Sequence, residues 1–351
     1  LYEGLSATSI NCWPSPEFDL MSVNSWFHRI MPAGFYYKTF MWPASGWKYY
    51  EHIIRRIAGL GVSPSEPDPD QYDHMYVHCD VLVVGGGAAG LSSALAAGRS
   101  GARVILVDEN TNFGGQLLNE QYLINNKPAS NWIDATLNEL SKMDDVTILK
   151  RTTAFGYYDH NYAGLLETRT DILTNGGDKS RQRLWHIRTK QTILATGALE
   201  RPLVFSDNDR PGVMLASAAR TYIQRYGVKP GNEAVIFTNN DDAYRTALAL
   251  HEAGVKVNAV IDTRKVPDGD LPNKVIATGI EIIDNATITG VSGGRCVKSV
   301  EVMTLNVAAD GVTGTARTIT CDLVASSGGW NPVIHLHSHS GGKAKFDQER
   351  G

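Results

Sequence analysis

The sequence predicts an α/β protein with two Rossmann-like units of the dinucleotide-binding type, preceded by an irregular arm rich in aromatic residues. Two βαβ patterns carry this prediction. The first covers Asp80–Asn110 and the second covers Ala234–Asp262, about 150 residues later, which indicates a repeated unit. Each pattern is followed by an apolar run that ends in small residues, at Thr192–Ala198 and at Asp322–Gly329. Strands that alternate with helices in this way favour parallel sheets.

Residues 1–70 are predicted to form an arm and a linker. Aromatic side chains are dense at Gly34–Pro43 and at Trp47–Tyr50, which suits packing against another domain or subunit, or equally against the chain's own first domain. A helix is expected at Glu51–Leu60 because its large aliphatic residues fall on one face. The prolines of Ser63–Asp70 indicate a linker that ends this region.

The first predicted domain, 71–200, contains a dinucleotide fingerprint. The apolar run Val81–Val84 stops at Gly85-x-Gly87-x-x-Gly90, a small-residue helix follows, and an acid stands 18 residues past the last glycine. Glycines in this turn let the backbone approach a pyrophosphate, and the helix N-terminus offers that anion free N–H groups and a positive dipole end. Strand, glycine turn, helix and acid together make the fingerprint strong.

Two acids end the second strand of this unit. Asp108 or Glu109 would accept hydrogen bonds from an adenosine ribose, and a carboxylate there would repel a 2′-phosphate, which favours NAD or FAD over NADP. Two later turns would bring backbone close to the same cofactor. They are Gly114-Gly115-Gln116-Leu117, which could also be a plain turn, and Ala195-Thr196-Gly197.

Further elements are predicted between these turns. A helix is expected at Asn131–Met143, and its core candidates are Trp132, Leu137 and Leu140. A short strand is expected at Val146–Leu149 and Thr192–Ala198 is expected to be a buried strand. Alternating patterns predict antiparallel strands at Thr152–Tyr158, Leu165–Thr168 and Leu184–Thr189.

The second predicted domain, 201–320, repeats the βαβ pattern without its glycines. Strands are expected at Ala234–Thr238, Val255–Ile261 and Val297–Leu305, and a helix at Asp241–Ala253, while residues 321–351 are predicted to form a return strand and a tail. The turn Thr238–Asp242 carries side chains that would block a pyrophosphate, and its two acids would repel one. Asp241 or Asp242 is better explained as an N-cap or first-turn acid. The sequence therefore predicts a single dinucleotide site, in the first domain.

Composition excludes several classes of function. The chain has 351 residues, 42% hydrophobic residues and a net charge of −4, which indicates a globular protein that binds neither nucleic acid nor membrane. The N-terminus lacks both a signal peptide and an initiator Met, so we expect a fragment or a processed product. Four scattered cysteines without a CxxC pair indicate a reducing compartment, for which the cytoplasm is predicted, and argue against a metal cluster and against disulfide-reductase chemistry.

Three other groups of polar residues have more than one interpretation. His335-x-His337-x-His339 could present three imidazoles on one strand face, but a fourth ligand is missing, and an exposed loop is favoured over a metal site. Arg201 and Arg210 flank prolines and could contact a cofactor phosphate or another subunit, or form structural salt bridges. The sequence contains no acid–base or nucleophile constellation, so no catalytic residue is predicted.

Specific motifs resemble a known family. They are GFYYKTFMWP, HCDVLVVGGGAAGL, ILVDEN…GGQL, ATGALERP, NDRPGVMLA, TNNDDAY and SSGGWNP. One dinucleotide fold inserted into another is similar to two-domain pyridine-nucleotide disulfide oxidoreductase-like flavoproteins, which implies two nested, three-layer ββα domains. The motifs resemble the alpha subunit of heterotetrameric sarcosine oxidase nearly end to end. The family's alpha subunit is much longer, so the chain resembles its middle part, with a remnant of a ferredoxin-like domain at residues 1–30.

The resemblance implies a function and a set of contacts. The family's complex converts sarcosine, oxygen and tetrahydrofolate to glycine, hydrogen peroxide and methylenetetrahydrofolate. Its beta subunit holds the FAD that oxidises the substrate, an FMN lies between alpha and beta, and gamma and delta subunits complete the assembly. The alpha subunit holds NAD without redox turnover with sarcosine. The residues implied at the pyrophosphate are Gly85, Gly87, Ala88, Ala89 and Gly90; those implied at or beside the ribose are Asp108, Glu109, Asn110 and Gln116; Ala154 is a looser match near the adenine.

Two alternatives remain open at this point. The first domain could hold a working FAD in a subunit of a related opine, proline or cyanide-forming dehydrogenase complex, or the site could be vestigial in a pure assembly module. The sequence also departs from two-domain flavoproteins, which end the first unit with a late strand and a Gly-Asp pair. The pairs at 177–178 and 269–270 follow no such strand. We therefore expect weak or absent NAD binding, and no enzymatic activity, from this chain alone.

Overall fold

The computed structural model describes residues 12–27, 42–57, 59, 63, 65, 67–68, 70–170 and 180–347. The chain divides into two compact units. They are Leu1–Tyr72 with Arg169–Arg181, and Asp73–Thr168 with Gln182–Gly351.

The first unit contains helical turns and one α-helix. Their bounds are Leu20–Phe27 and Ala44–Gly46 for two 3₁₀ helices and Trp47–Ile57 for α1. The helix predicted from Glu51 thus begins one turn earlier, at Trp47. Trp26, Trp42 and Tyr49 are exposed. Most of the aromatic run Gly34–Pro43, part of the predicted ferredoxin-like remnant and the Gly-Asp pair at 177–178 lie outside the described residues.

A six-stranded sheet opens the second unit. Its strands are β1 (Tyr72–Val84), β2 (Val104–Val107), β5 (Val146–Leu149), β6 (Thr152–Tyr158), β7 (Tyr162–Thr168) and β8 (Gln182–Leu194), in the order β5-β2-β1-β8-β7-β6. Strand β2 pairs in parallel with β1 and with β5, whereas β7 pairs antiparallel with β6 and with β8. The predicted bounds of β5 and β6 are confirmed.

Helices cover one face of this sheet. They are α2 (Ala88–Arg99) and α3 (Ala129–Leu140), with a 3₁₀ helix at Gly115–Leu118 and a small hairpin of β3 (Leu123–Ile124) and β4 (Lys127–Pro128) between them. Helix α3 begins two residues before the predicted Asn131 and ends three residues before the predicted Met143. Leu140 is fully buried, and Trp132 and Leu137 pack against the same core. On the opposite side, β1, β2 and β5 pack against side chains of β7 and β8, among them Leu165 and Ile187, so the strands of this sheet form two layers and the helices form the third.

The prediction of a separate buried strand at Thr192–Ala198 is wrong in two respects. Its first residues are the end of the 13-residue strand β8, and Leu194 is 36% exposed. An apolar run indicates a strand, but it does not show whether a further element covers that strand. Residues Ala195–Gly197 do form the expected turn before β9 (Ala198–Glu200).

The second sheet contains five parallel strands. They are β10 (Val213–Leu215), β11 (Glu233–Thr238), β12 (Lys256–Asp262), β13 (Ile282–Ile283) and β17 (Leu323–Ser327), in the order β10-β17-β11-β12-β13. The βαβ repeat predicted at Ala234–Asp262 is therefore confirmed. The strand predicted within 321–351 pairs inside this second sheet.

Two further layers enclose the second sheet. One consists of α4 (Ala216–Tyr226), α5 (Asp242–Glu252) and α6 (Asp270–Ala277), and the other of the antiparallel strands β14 (Ala286–Gly293), β15 (Val297–Leu305) and β16 (Val312–Thr320). Separate apolar cores lie on the helical and the strand side. The prediction of two α/β, three-layer ββα units is confirmed; the exact domain boundaries stay predictions.

The chain returns to the first sheet after β17. Strand β18 (Trp330–Pro332) pairs antiparallel with β9, and α7 (His335–His339) places the buried Leu336 in the strand-side core of the first sheet. The second α/β unit is thus inserted into the first. The three histidines, for which the sequence favours an exposed loop over a metal site on one strand face, are exposed but lie on a helix, where alternate residues point to different sides. Among the described residues, no helix is long and apolar enough to cross a membrane.

Candidate dinucleotide site

Packing explains two glycines of the first turn. A Cβ at Gly90 would lie 1.7 Å from the carbonyl oxygen of Gly85, because α2 begins directly against the end of β1. Gly85 has φ of +103°, and a Cβ there would lie 2.2 Å from the carbonyl oxygen of Ala195. Both positions exclude any other residue for reasons of backbone contact alone.

Gly87 is different, because protein packing does not require a glycine there. Its φ is −74°, and a Cβ would meet only the Cα of Gly115, at 4.0 Å. Gly87 is the N-cap residue of α2 and, as a glycine, offers the helix no side-chain cap. Helix N-termini leave the first N–H groups without intrahelical partners. The exposed Ala88 and Ala89 follow, so this end of α2 is open to an anion.

Asp108 holds the glycine turn in place from the end of β2. Its Oδ2 accepts a hydrogen bond from Gly86 N at 2.6 Å, and its Oδ1 accepts bonds from Asn110 N and Nδ2 at 2.8 and 3.0 Å. Each carboxylate oxygen can accept a further bond. Glu109 and Asn110 are exposed beside it. The predicted acids therefore stand next to the predicted pyrophosphate turn.

The second predicted turn lies on the first. Gly114 N donates to Gly86 O at 2.8 Å, and a Cβ at Gly115 would lie 3.0 Å from the Cα of Gly87. Both Gly114 and Gly115 have positive φ, 130° and 53°. Gln116 is exposed, whereas Leu117 packs in the helix-side core. Gly114 and Gly115 thus form more than a surface turn, since only glycines allow their loop to approach the Gly86-Gly87 loop this closely.

The third predicted segment, Ala195-Thr196-Gly197, lies beside Gly85. Ala195 N donates to Val84 O, and Thr196 Oγ1 donates to Val333 O, both at 2.8 Å. Ala154 is placed two residues along β6 from Thr152, whose N–H donates to Asp108 O at 2.9 Å. Ala154 itself packs against the strand-side core. The structure thus brings the glycine turns, Asp108 and Ala195 together and leaves Ala154 at the margin.

Charged side chains fill the corresponding turn of the second α/β unit, Thr238–Asp242. Asp241 is the N-cap residue of α5 and Asp242 lies in its first turn, as predicted, but the cap is made by Asn240, whose Oδ1 accepts from Asp242 N at 3.1 Å. The two carboxylates instead bind arginines. Asp241 pairs with Arg264 at 2.8 Å, and Asp242 pairs with Arg220 at 3.0 Å.

The acid that ends β12 is also occupied. Asp262 is fully buried, accepts a hydrogen bond from Tyr244 Oη at 2.8 Å, and pairs with Arg264 at 2.8 Å. Burial and the bond to Asp262 raise the pKa of the Tyr244 hydroxyl. A ribose would have to displace these partners. The second α/β unit therefore offers a dinucleotide neither an open turn nor a free acid.

Sequence reasoning missed a buried ion cluster between the two α/β units. Arg220 on α4 is 2% exposed, and its Nη2 lies 3.1 Å from Glu120 and 3.0 Å from Asp242. Arg245 lies 3.6 Å from Glu120 and carries its guanidinium 5.5 Å from the ring centroid of Tyr122. Glu120 closely follows the Gly114-Gly115 turn. The acid is far from both arginines in the sequence, so no local pattern could reveal the cluster.

Arg201 and Arg210 have structural partners. Arg201 Nε donates to Gly328 O at 2.7 Å, and Arg210 Nη1 donates to the carbonyl oxygens of Gly293 and, at 2.8 Å, of Gly294. These bonds hold loops and favour the structural alternative. Gly269-Asp270 opens α6 and follows no late strand of the first sheet. Among the described residues, no group of three or more His, Cys, Asp or Glu side chains is arranged to hold a metal.

Thiol labelling should distinguish the cysteines. Cys79 and Cys321 are buried and Cys296 is exposed. Burial raises the pKa of the Cys321 thiol to about 12, and burial also raises that of Cys79. Because the thiolate is the reactive form, we expect a chromogenic disulfide at pH 8 to label Cys296 in the native chain. Cys79 and Cys321 should react only after denaturation; equal native rates, measured by peptide mass spectrometry, would refute this burial.

Comparison with known proteins agrees with this geometry. A family model described as pyridine nucleotide-disulphide oxidoreductase matches residues 79–349. The sarcosine oxidase alpha subunit of Rhizobium meliloti (strain 1021) is 46% identical over 352 residues, covering 100% of this chain and 34% of that protein. An opine oxidase subunit of Agrobacterium tumefaciens (strain Ach5) is 31% identical over 196 residues, covering 54% of this chain and 37% of that protein.

A solved structure shows the same fold. L-proline dehydrogenase from P. horikoshii aligns with a TM-score of 0.56 at 21% identity, covering 79% of this chain and 47% of that one. The chain spans about a third of the length of the two curated relatives. The family model covers most of the chain, including both α/β units. The chain therefore belongs to the pyridine nucleotide-disulphide oxidoreductase family and has sarcosine oxidase alpha subunits among its homologues.

Proposed function

We propose that this chain is the NAD-binding part of the alpha subunit of a heterotetrameric sarcosine oxidase. In this proposal the complex converts sarcosine, oxygen and tetrahydrofolate to glycine, hydrogen peroxide and methylenetetrahydrofolate in the cytoplasm. A beta subunit carries the substrate-oxidising FAD and contacts the FMN, and gamma and delta subunits complete the assembly. The observation that carries the binding site is Gly87, since its side-chain position is open and a ligand explains the glycine where packing does not.

Different residues of the first α/β unit would contact different parts of the dinucleotide. The backbone at Gly85, Gly87 and Gly90 and the start of α2 would face the pyrophosphate, because this helix end is uncapped. Asp108, with Glu109 and Asn110 beside it, would accept bonds from the ribose hydroxyls. The turns Gly114–Leu117 and Ala195–Gly197 would close the site with backbone, and Ala154 would lie toward the adenine.

The acids at the end of β2 support NAD over NADP. Asp108 already accepts three hydrogen bonds, one from Gly86 N in the glycine turn and two from Asn110, and these bonds keep its carboxylate in place. A 2′-phosphate would meet this charge and that of Glu109. A bound nicotinamide supplies hydride chemistry. The chain's own contribution is to bind and orient the dinucleotide, and we predict no catalytic residue on it.

A second candidate is an FAD-dependent subunit of a related opine, proline or cyanide-forming dehydrogenase complex. The similarity to the opine oxidase subunit favours it, since the same pyrophosphate turn and ribose acid would serve FAD. Release of the nucleotide from the native assembly by denaturation, followed by mass spectrometry, separates the two. NAD bound to this chain supports the first candidate. FAD, with flavin absorbance that follows this chain, supports the second.

Gly87→Ala in the native assembly should abolish most nucleotide binding without unfolding the chain. The added methyl fits the protein, but it lies where the backbone would approach the diphosphate. Loss of one or two charge-assisted hydrogen bonds, each worth about 1.5–3 kcal/mol, corresponds to roughly a 10- to 20,000-fold weaker complex. The measurement is the nucleotide released per copy of the chain.

Gly294→Ala is the matched control, because a Cβ there meets nothing within 4 Å and the φ of Gly294 lies outside the left-handed region. It should leave both folding and nucleotide content unchanged. If Gly87→Ala assembles and retains a full complement of nucleotide, the site is elsewhere. If the unmodified assembly contains no nucleotide at this chain, the chain is an assembly module with a vestigial site.

A further inference from the structure

Two histidines meet on the outer face of the first sheet, away from the glycine turns. His74 lies on β1 and His186 on the adjacent strand β8, and His74 Nδ1 is 3.1 Å from His186 Nε2. His74 is exposed and His186 is half-buried. A pair of imidazole nitrogens this close either shares one proton or shares a metal ion, because two lone pairs facing each other repel.

The surroundings fix the orientation of His186. Tyr162 Oη lies 2.5 Å from His186 Nδ1, and the Tyr76 ring stacks on the imidazole with centroids 4.3 Å apart and planes 5° from parallel. When Nδ1–H donates to the tyrosine oxygen, Nε2 carries the lone pair, and that nitrogen faces His74. Metal-binding histidines use this arrangement, in which an outer partner of the other ring nitrogen sets the tautomer.

The separation of the two nitrogens fits one transition-metal ion. Imidazole–zinc bonds are about 2.0–2.1 Å long. Two such bonds to nitrogens 3.1 Å apart enclose an angle of about 95–102°, between the values of square-planar and tetrahedral coordination. At that angle the ion lies about 40° off the line that joins the two nitrogens, and rotation of the exposed His74 ring would aim its lone pair at the ion. The protein provides two ligands here, and water completes the shell.

We propose that His74 and His186 form a two-imidazole site for a borderline divalent metal ion, with Tyr162 as the residue that positions His186. Imidazole ligands suit zinc, copper and nickel and do not suit magnesium or calcium. Arg188, whose guanidinium lies 5.3 Å from the Tyr162 ring centroid, adds a nearby positive charge. That charge lowers the affinity for any cation, so the site is weaker than a structural zinc centre of four ligands.

Titration calorimetry of the full 351-residue chain with Zn²⁺ tests the site. We expect one Zn²⁺ to bind with affinity that falls at least tenfold in His74→Asn and in His186→Asn. Tyr162→Phe should weaken binding about 10- to 100-fold, the usual effect of removing an outer partner of a ligating histidine. Mg²⁺ should not bind at this position.

His78→Asn is the matched control, since His78 is exposed on the same strand and is not one of the pair. Its Zn²⁺ affinity should equal that of the unmodified chain. No binding to the unmodified chain, or binding that survives His74→Asn, overturns the proposal and leaves a hydrogen-bonded histidine pair. His74 is exposed, so its substitution tests the site even if His186→Asn does not fold.

Discussion

Arg220→Ala is expected to destabilise the chain by about 3–5 kcal/mol. Arg220 is 2% exposed, and the side chain of its partner Glu120 is 8% exposed. Truncation leaves the Glu120 carboxylate buried without its nearest cation, which costs more than the pair contributes when intact. Arg245 remains 3.6 Å from Glu120 and 39% exposed, so it can recover part of this loss. The midpoint and slope of a urea unfolding curve measure the change.

Arg225→Ala provides the control on the same helix. Arg225 is half-buried and contacts the ring of Tyr226, so its loss should cost less than about 1 kcal/mol. Glu120→Gln, alone and combined with Arg220→Ala, completes a double-mutant cycle that isolates the coupling between the two residues. If Arg220→Ala costs no more than Arg225→Ala, or if the cycle shows no coupling, the cluster does not stabilise the chain.

The ion cluster around Arg220 also explains why the second α/β unit is closed to a nucleotide. Asp242 stands at the start of α5, where a binding unit would receive a pyrophosphate. Arg220 and Arg245 pair with this carboxylate, so their positive charge is already neutralised and does not attract a phosphate. Glu120 ties this helix end to the segment after the Gly114-Gly115 turn. Ion pairs between the two α/β units thus occupy the position where a second dinucleotide would bind.

Local pattern predicted most elements, because the apolar period reports which face of an element is buried. The strands Val146–Leu149, Thr152–Tyr158 and Val297–Leu305 have the predicted bounds. The glycine turn, its acid and the second glycine turn also meet as predicted, because strand–turn–helix units place them at one edge of a parallel sheet. Each of these predictions depends only on residues close in sequence.

Properties that depend on distant residues could not be predicted. The sequence favours an exposed loop for the alternating histidines of α7, but the buried Leu336 anchors a short helix on the first sheet. The exposure of Leu194 depends on what covers the C-terminal end of β8. The partners of Asp262 and Arg220 come from other elements. Only the folded chain shows that Asp262, which ends β12 where a ribose-binding acid would stand, is bound by Tyr244 and Arg264.

Gly90→Ala should impair both folding and nucleotide binding, in contrast to Gly87→Ala. The new methyl would lie 1.7 Å from the carbonyl oxygen of Gly85, and neither backbone can yield without separating α2 from β1. Overpacking costs typically about 1–3 kcal/mol, and more where backbone must move, so we expect a loss of about 3 kcal/mol in urea unfolding. Gly294→Ala should cost less than about 0.5 kcal/mol. Gly90→Ala with unchanged stability would show that α2 does not pack against Gly85 as described, whereas loss of stability with full nucleotide content in the native assembly would place the ligand away from this turn.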